Sequence, residues 1–323
     1  MLYRVEKYAA VHFEVWNDLI SRSKNGTFLF NRGFMEYHED RFEDYSLLVF
    51  NDDKAIAALP AHIAGSELFS HSGLTYGGLV YDEKVKLAEV ITVFGAILKF
   101  LHEQDITRLH LKTIPAIYHK YPSDELHYAL FLVNAILTRR DSLSVVDRGN
   151  ELTITKTRKE AIRRGAKNGL VIREEPEFKN FWNEILIPNL WKKHKAKPVH
   201  TLNEMQLLHS RFPDNIRHFN VYKDGKLVAG TTMFVTDTVA HPQYISGQED
   251  KNQLGSLDFL YNYLLDLFSE KKYFDFGPSN EEQGRKLNSG IVFWKESFGA
   301  RTIVQDFYEV ETCNHELLNN AII

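Results

Sequence analysis

The residues best suited to chemistry lie between Tyr244 and Arg301. Tyr244-Ile245-Ser246-Gly247 reads as a short apolar strand that stops at a glycine, and Gln248 to Gly255 follows as a loop too polar to be buried. Leu257, Leu260, Tyr261, Leu264, Leu265 and Phe268 then recur at helical spacing. Ser256 stands just before them, where its hydroxyl can accept a free backbone N–H of the first turn. A glycine-ended loop leading straight into a helix suits an anion, because free N–H groups and the positive end of the helix dipole face whatever sits there. Most strand–loop–helix turns bind nothing, so the loop alone sets no function. Tyr273-Phe274-Asp275-Phe276-Gly277 follows as a second short strand, broken by Gly277-Pro278. A helix with Leu287, Ile291, Trp294 and Phe298 on one face closes the stretch and stops at Gly299.

The elements that must position these residues occur twice. Val49–Ala57, a strand, an Asn-Asp-Asp-Lys turn and a return strand, matches Val221–Ala229 without a gap. The same offset carries a helix start near Lys84 onto Ser256, and a slightly smaller one carries Trp16-Asn17-Asp18 onto Trp182-Asn183-Glu184. Agreement in hairpin, helix start and aromatic landmark predicts two similar α/β domains. Each runs helix, antiparallel hairpin, further strand, helix, strand, so each sheet should be mixed. The boundary falls near Val145–Asn150, giving domains 1–148 and 149–323. There is no G-x-G-x-x-G, and the order is not the alternation of a dinucleotide-binding fold.

Composition bounds the partners. The chain has 323 residues and a formal net charge of −4, so there is no global pull toward DNA, tRNA or an anionic membrane. No apolar run reaches the length of a membrane span, and the N-terminus lacks the apolar core of a signal peptide. The simplest compartment is the cytoplasm. A single cysteine excludes an internal disulfide and any multi-cysteine metal site, and His194 and His200 flank a proline loop without ligand spacing. No metal is expected.

Four stretches carry a family resemblance. They are the basic segment Thr157–Gly169, the loop His194–His200, the strand Tyr273–Gly277, and Phe293-Trp294-Lys295-Glu296-Ser297-Phe298-Gly299, which is similar to an "FK-x-x-FG" motif. Together they resemble the second domain of the FemAB-like branch of the GNAT N-acyltransferase fold. The likeness covers most of the second half; the first half matches mainly in layout. It implies two tandem GNAT-like domains, the first on the acceptor side and the second on the acyl-donor side. Gln253-Leu254-Gly255-Ser256 departs from the usual (Q/R)-x-x-G-x-(G/A) donor loop. The segment Glu177–Leu202 is also too short and too broken by Pro188 and Pro198 for the long helical hairpin of Fem enzymes that use aminoacyl-tRNA.

The resemblance implies acyl transfer to an amine, with acetyl-CoA or another acyl-CoA as donor. The acceptor it implies is a small-molecule, sugar-linked or cell-envelope precursor amine. It places Lys295 beside the reacting carbonyl as a fixed positive charge. Backbone N–H groups near Ser246 and Gly247 would hold the carbonyl, Tyr244 or Tyr261 would protonate the leaving sulfur, and Glu249 or Asp275 would take the amine proton. Gln248, Asn252, Gln253, Gly255 and Ser256 complete the expected donor loop. Tyr76, Gly77, His194, His200 and Trp294 are the expected substrate contacts. Lys156, Arg158, Lys159, Arg163, Arg164 and Lys167, set against one acid, Glu160, form either a solvated face or a grip for phosphates. Two other readings stay open: a non-catalytic GNAT-like ligand-binding module, and an aminoacyl-tRNA-dependent ligase.

Overall fold

A computed structural model describes residues 3–323 and divides them into two compact units. One runs up to Asp141 and takes in residues 282–285 and 304–323; the other holds 142–281 and 286–303. A single cut near residue 148 therefore does not separate them. The end of the chain belongs with the first unit because its apolar residues are used there. Phe307–Glu311 pair antiparallel with Arg108–Lys112, Val310 and Leu318 enter that unit's core, and the Thr312 hydroxyl donates to the Ile106 carbonyl at 2.7 Å.

In the N-terminal unit, helix Phe13–Arg22 buries Trp16, Leu19 and Ile20. The hairpin Leu47–Asn51 and Lys54–Leu59 is flanked by Arg4–Lys7 and by Val80–Tyr81, all antiparallel. Helix Leu87–Glu103 turns an apolar face of Val90, Phe94, Ile97, Leu98 and Leu101 inward. It leads to Arg108–Lys112, which lies parallel to Glu67–Phe69.

In the C-terminal unit, strands Val171–Glu174, Ile216–Lys223, Lys226–Val235 and Val239–Gly247 are neighbours in that order, all antiparallel. Helix Ser256–Leu267 then crosses over, so the next strand, Tyr273–Pro278, is parallel to Val239–Gly247. On its other side Tyr273–Pro278 meets residues 143–147 antiparallel. Phe219, Met233, Leu260, Tyr261, Leu264 and Phe274 lie at the centre of this core.

The hairpin match holds in detail. Val49 pairs with Ala57 and Val221 with Ala229, and the register shifts directly after Val49 and directly after Val221. Both turns pass through a left-handed aspartate, Asp52 at φ 52° and Asp224 at φ 49°. Two local expectations fail. Gly255, at φ 70°, is the residue before the first helical turn, while Ser256 lies inside the turn with its buried Oγ unpartnered. Leu287 and Ile291 are exposed, so only Trp294 and Phe298 of the expected helical face pack inward. The helix is shorter than the pattern implied, Ser289–Glu296. Among the described residues, no helix is long and apolar enough to cross a membrane.

Candidate active site

Strands Val239–Gly247 and Tyr273–Pro278 run parallel but pair only at Val239–Tyr273 and Ala240–Phe274. Beyond those two pairs they part. Pro242 has no N–H to continue a ladder, and Gly277 turns the second strand at φ 73° just before Pro278. Alternation then decides what faces the gap. Ala240, Phe274 and Phe276 point into the core, where Phe276 stacks on Tyr261 with ring centres 5.4 Å apart. Asp275 sits between the two phenylalanines and turns the other way. His241 reaches it from the first strand: its Nδ1 is 2.9 Å from the Asp275 carbonyl oxygen and 3.4 Å from Oδ2. Asp275 Oδ1 accepts the Gly277 N–H at 2.7 Å.

Lys295 comes to the same place from helix Ser289–Glu296, whose start is capped by the Asn288 side chain accepting the Ile291 N–H. The lysine is 6% exposed, and its Nζ donates to the carbonyls of Gly277 and Pro278, each at 2.8 Å. Burial pushes the ammonium down to about 8, against the opposing pull of the nearby Asp275 carboxylate. The helix is clamped from behind. Trp294 Nε1 donates to Asp258 at 2.8 Å, and Arg158 pairs with the same carboxylate and donates to Ser297 Oγ at 2.8 Å. A mostly parallel pair that opens after two residues, joined by a helix and carrying a fixed cation at its mouth, can seat a planar group between the strands.

Solved structures share this fold along nearly the whole chain. FemX aligns over 97% of this chain and 99% of its own, with TM-score 0.66 at 9% identity. The C-terminal domain of a protein named as a lysylphosphatidylglycerol synthetase, from Agrobacterium fabrum, aligns over 97% and 96%, with TM-score 0.62 at 14% identity. A tandem GNAT protein from the clavulanic acid biosynthesis pathway aligns over 96% and 99%, with TM-score 0.54 at 11% identity. The fold is that of the tandem GNAT proteins. No protein-family profile matches the sequence, and no curated protein does.

Within this tandem GNAT fold the expected residues fall into different places. Tyr244 is buried; its hydroxyl accepts the His200 N–H at 3.1 Å and lies 2.6 Å from His200 Nδ1, so the two fasten the proline loop to the strand. The side chain of His194 lies outside the described residues. Tyr261 is fully enclosed, among the described residues its hydroxyl meets only Thr231 at 3.3 Å, and burial holds it well above the ordinary phenol range. That site corrects the idea of Tyr261 as the acid: no leaving group can reach it. Glu249 is exposed and paired with Lys192, which lowers its carboxyl below the ordinary range and makes it a poor base. Asp275 is 1% exposed and engaged by Gly277 and His241, which suits an orienting carboxylate rather than a base in contact with an amine.

The donor loop also departs from expectation. Ser246 and Gly247 stay paired with Gly230 and Ala229, and Asn189 Nδ2 donates to Ser246 Oγ at 2.8 Å and to the Gly247 carbonyl at 2.9 Å. The Gln248 N–H is taken by the Val228 carbonyl. Asn252 and Gln253 are exposed on a short helix, Lys251–Leu254. Helix Lys156–Lys167 lies against the start of helix Ser256–Leu267, so closely that a Cβ on Gly255 would sit 2.4 Å from the Ala161 carbonyl oxygen. Ser256 is 0% exposed. The helix start is therefore packed against protein. Of the basic residues on Lys156–Lys167, Arg158 is the buried clamp described above; Lys156, Lys159, Arg163, Arg164 and Lys167 are exposed.

Tyr76 and Gly77 are packed inside the N-terminal unit. The Tyr76 ring lies between Phe30 and Tyr118 with its hydroxyl 3.0 Å from Thr27 Oγ1, and a Cβ on Gly77 would collide with the Ser70 carbonyl. They are core, not an open substrate surface. Trp294 is half-buried against Tyr261, Phe276 and Phe298. The residue that sequence reading passed over is His241. Its signal was modest: a histidine off the core face of a strand, one residue before a proline.

Proposed function

We propose that this chain is an acyltransferase that moves an acyl group onto an amine, with the reacting carbonyl seated where strands Val239–Gly247 and Tyr273–Pro278 part. Lys295 carries the reading. It is a buried ammonium held by two carbonyls at that opening, and burying such a charge costs stability unless something there uses it. Negative charge develops on the carbonyl oxygen as an amine adds. A fixed cation lowers the energy of that oxyanion more than that of the neutral carbonyl, which raises the chemical rate. The acceptor class, a small-molecule, sugar-linked or cell-envelope precursor amine, rests on the family likeness.

Acetyl-CoA or another acyl-CoA is the first donor to test. The packed helix start at Gly255–Ser256 favours a second donor, an aminoacyl ester of tRNA, which needs no pyrophosphate cradle. Exposed Lys156, Lys159, Arg163, Arg164 and Lys167 would face its phosphates, as would Lys193, whose pKa is lowered by partial burial and then by neighbouring Lys251 and Lys192. The test is hydrogen exchange and radiolabel transfer with acetyl-CoA and with alanyl-tRNA, using glucosamine and a lysine-containing dipeptide as amines. Transfer from one donor, with protection of amides within 239–257 and 273–278, is expected. Protection confined to 73–84 would move the donor to the other unit. Neither transfer nor protection with either donor would leave a non-catalytic module.

A further inference from the structure

We infer that His241 is the general base that takes the proton from the attacking amine; this rests on the acyl-transfer reading above. The Asp275 carbonyl oxygen can only accept, so in the neutral imidazole the proton must sit on Nδ1, 2.9 Å away. Asp275 Oδ2, at 3.4 Å from the same nitrogen, supports that tautomer electrostatically. Nε2 is then left with its lone pair, and among the described residues it has no hydrogen-bond partner although His241 as a whole is only 8% exposed. A ring nitrogen with a fixed lone pair and no protein partner is a group suited to receive a proton.

Its position fits that task. His241 is the first residue after the two paired positions, at the crotch of the opening. A Cβ on Gly277 would stand 3.1 Å from His241 Cε1, so the glycine leaves room for the ring against the second strand. Gly277 also supplies one of the two carbonyls that hold Lys295. One short stretch of strand, Asp275–Pro278, thus aims both groups: the Asp275 carboxylate and carbonyl orient the imidazole, and the Gly277 and Pro278 carbonyls orient the ammonium. The histidine–carboxylate pair here plays base and orienter, with the lysine as the oxyanion partner.

The amine nitrogen bonds to the acyl carbon, the carbonyl π pair moves to oxygen beside Lys295, and Nε2 takes one proton from the resulting ammonium. Collapse of the tetrahedral adduct breaks the bond from the acyl carbon to the leaving sulfur or oxygen. That atom leaves with the bonding pair and receives the proton from the imidazolium. Amide and protonated leaving group are the products, and His241 returns to its starting tautomer.

The test is His241→Asn, assayed beside Lys295→Met in the full chain with the same donors and amines. Asparagine keeps an N–H in the place of Nδ1 to bond the Asp275 carbonyl but has no base at the position of Nε2. Removing a general base typically costs on the order of a hundredfold or more in turnover. The expected result is such a loss in kcat, with an unchanged melting temperature and partial rescue by added imidazole. Wild-type kcat in His241→Asn with turnover lost in Lys295→Met overturns the base and leaves acyl transfer standing. Unchanged turnover in both variants overturns the reading and the base together. If His241→Asn does not fold, nitrogen-15 spectra of histidine-labelled wild-type protein decide. An Nε2-protonated tautomer at His241 overturns the assignment, and an Nδ1-protonated one supports it.

Discussion

The two copies of the strand–helix unit share a scaffold and differ in what fills the end of it. In register, Tyr81 opposes Ala57 as Gly247 opposes Ala229, so a tyrosine stands in one unit where a glycine stands in the other. The Tyr81 ring is buried, and its hydroxyl sits 2.9 Å from both the Ser123 carbonyl and Glu125. The Lys24 ammonium lies over that ring, pairs with Glu125 and donates to the Val85 carbonyl. The pKa of the phenol is driven well above its ordinary range, by burial first and by Glu125 second. The next strand, Arg108–Lys112, pairs with Glu67–Phe69 rather than with Val80–Tyr81. In the C-terminal unit the corresponding strand keeps two pairs and then opens onto His241, Asp275 and Lys295. One fold thus ends in a buried tyrosine in one unit and in parted strands in the other, and a single aromatic side chain marks the difference.

Breaking the contacts of the buried tyrosine should have the largest effect. Lys24→Met leaves Glu125 and Tyr81 facing each other without their cation, and removing one partner of a buried pair costs roughly 3–5 kcal/mol. Denaturant unfolding should show that loss. A loss under about 1 kcal/mol would mean the pair is loosely hydrated and the N-terminal end is not sealed.

Acid should weaken the N-terminal unit next. His38 and His71 are buried with ring centres 4.9 Å apart; burial pulls them down to about 4 and about 3, and repulsion from His62 acts on both. Arg41 lowers His38 further while Asp40 opposes; Arg32 lowers His71 while Asp44 opposes. Each is neutral when folded and ordinary when unfolded. Their contribution is therefore complete above pH 6.5 and is lost as pH falls from there toward 4, on the order of 3 kcal/mol for each histidine. A flat stability between pH 6.5 and 4.5 in a His38→Gln comparison would contradict the burial argument.

The smallest effect sharpens the comparison at the helix start. As an N-cap, Ser256 would lose about 1 kcal/mol on mutation to alanine. In the structure its Oγ has no partner and is wholly enclosed, so Ser256→Ala should stay within about 0.5 kcal/mol of wild type or gain slightly. A loss above 1 kcal/mol would restore the serine as the cap.

Much of the scaffold was legible in the sequence because it rests on local signals. Apolar runs around a polar turn marked the hairpin Val49–Ala57 and its match Val221–Ala229, apolar spacing marked helices Leu87–Glu103 and Ser256–Leu267, and the matched turns fixed the repeat. What sequence did not reveal depends on contacts between distant residues. Gly255 displaces Ser256 as the cap because helix Lys156–Lys167 presses on it, about ninety positions away in the chain. The exit of residues 304–323 to the first unit has no local mark. His241 becomes chemically interesting only when the strand bearing Asp275 is beside it. The lysine of the closing motif was visible from the start; its two carbonyl partners were not.

The most direct test of the account is the kinetics of Lys295→Met. Methionine fills most of the stem's space, and the lysine's pKa is lowered to about 8 from 10.5, so its burial costs stability below pH 8 and less as pH rises toward 10.5. The variant should therefore keep or gain stability near pH 7. The account predicts a kcat lower by about a hundredfold or more, some 3 kcal/mol of lost transition-state stabilisation, with donor KM little changed. It also predicts that wild-type turnover falls as pH rises through about 8 and the cation is lost. An unchanged kcat in a well-folded Lys295→Met protein, or a rise in KM alone, would contradict the role of this buried charge at the reacting carbonyl.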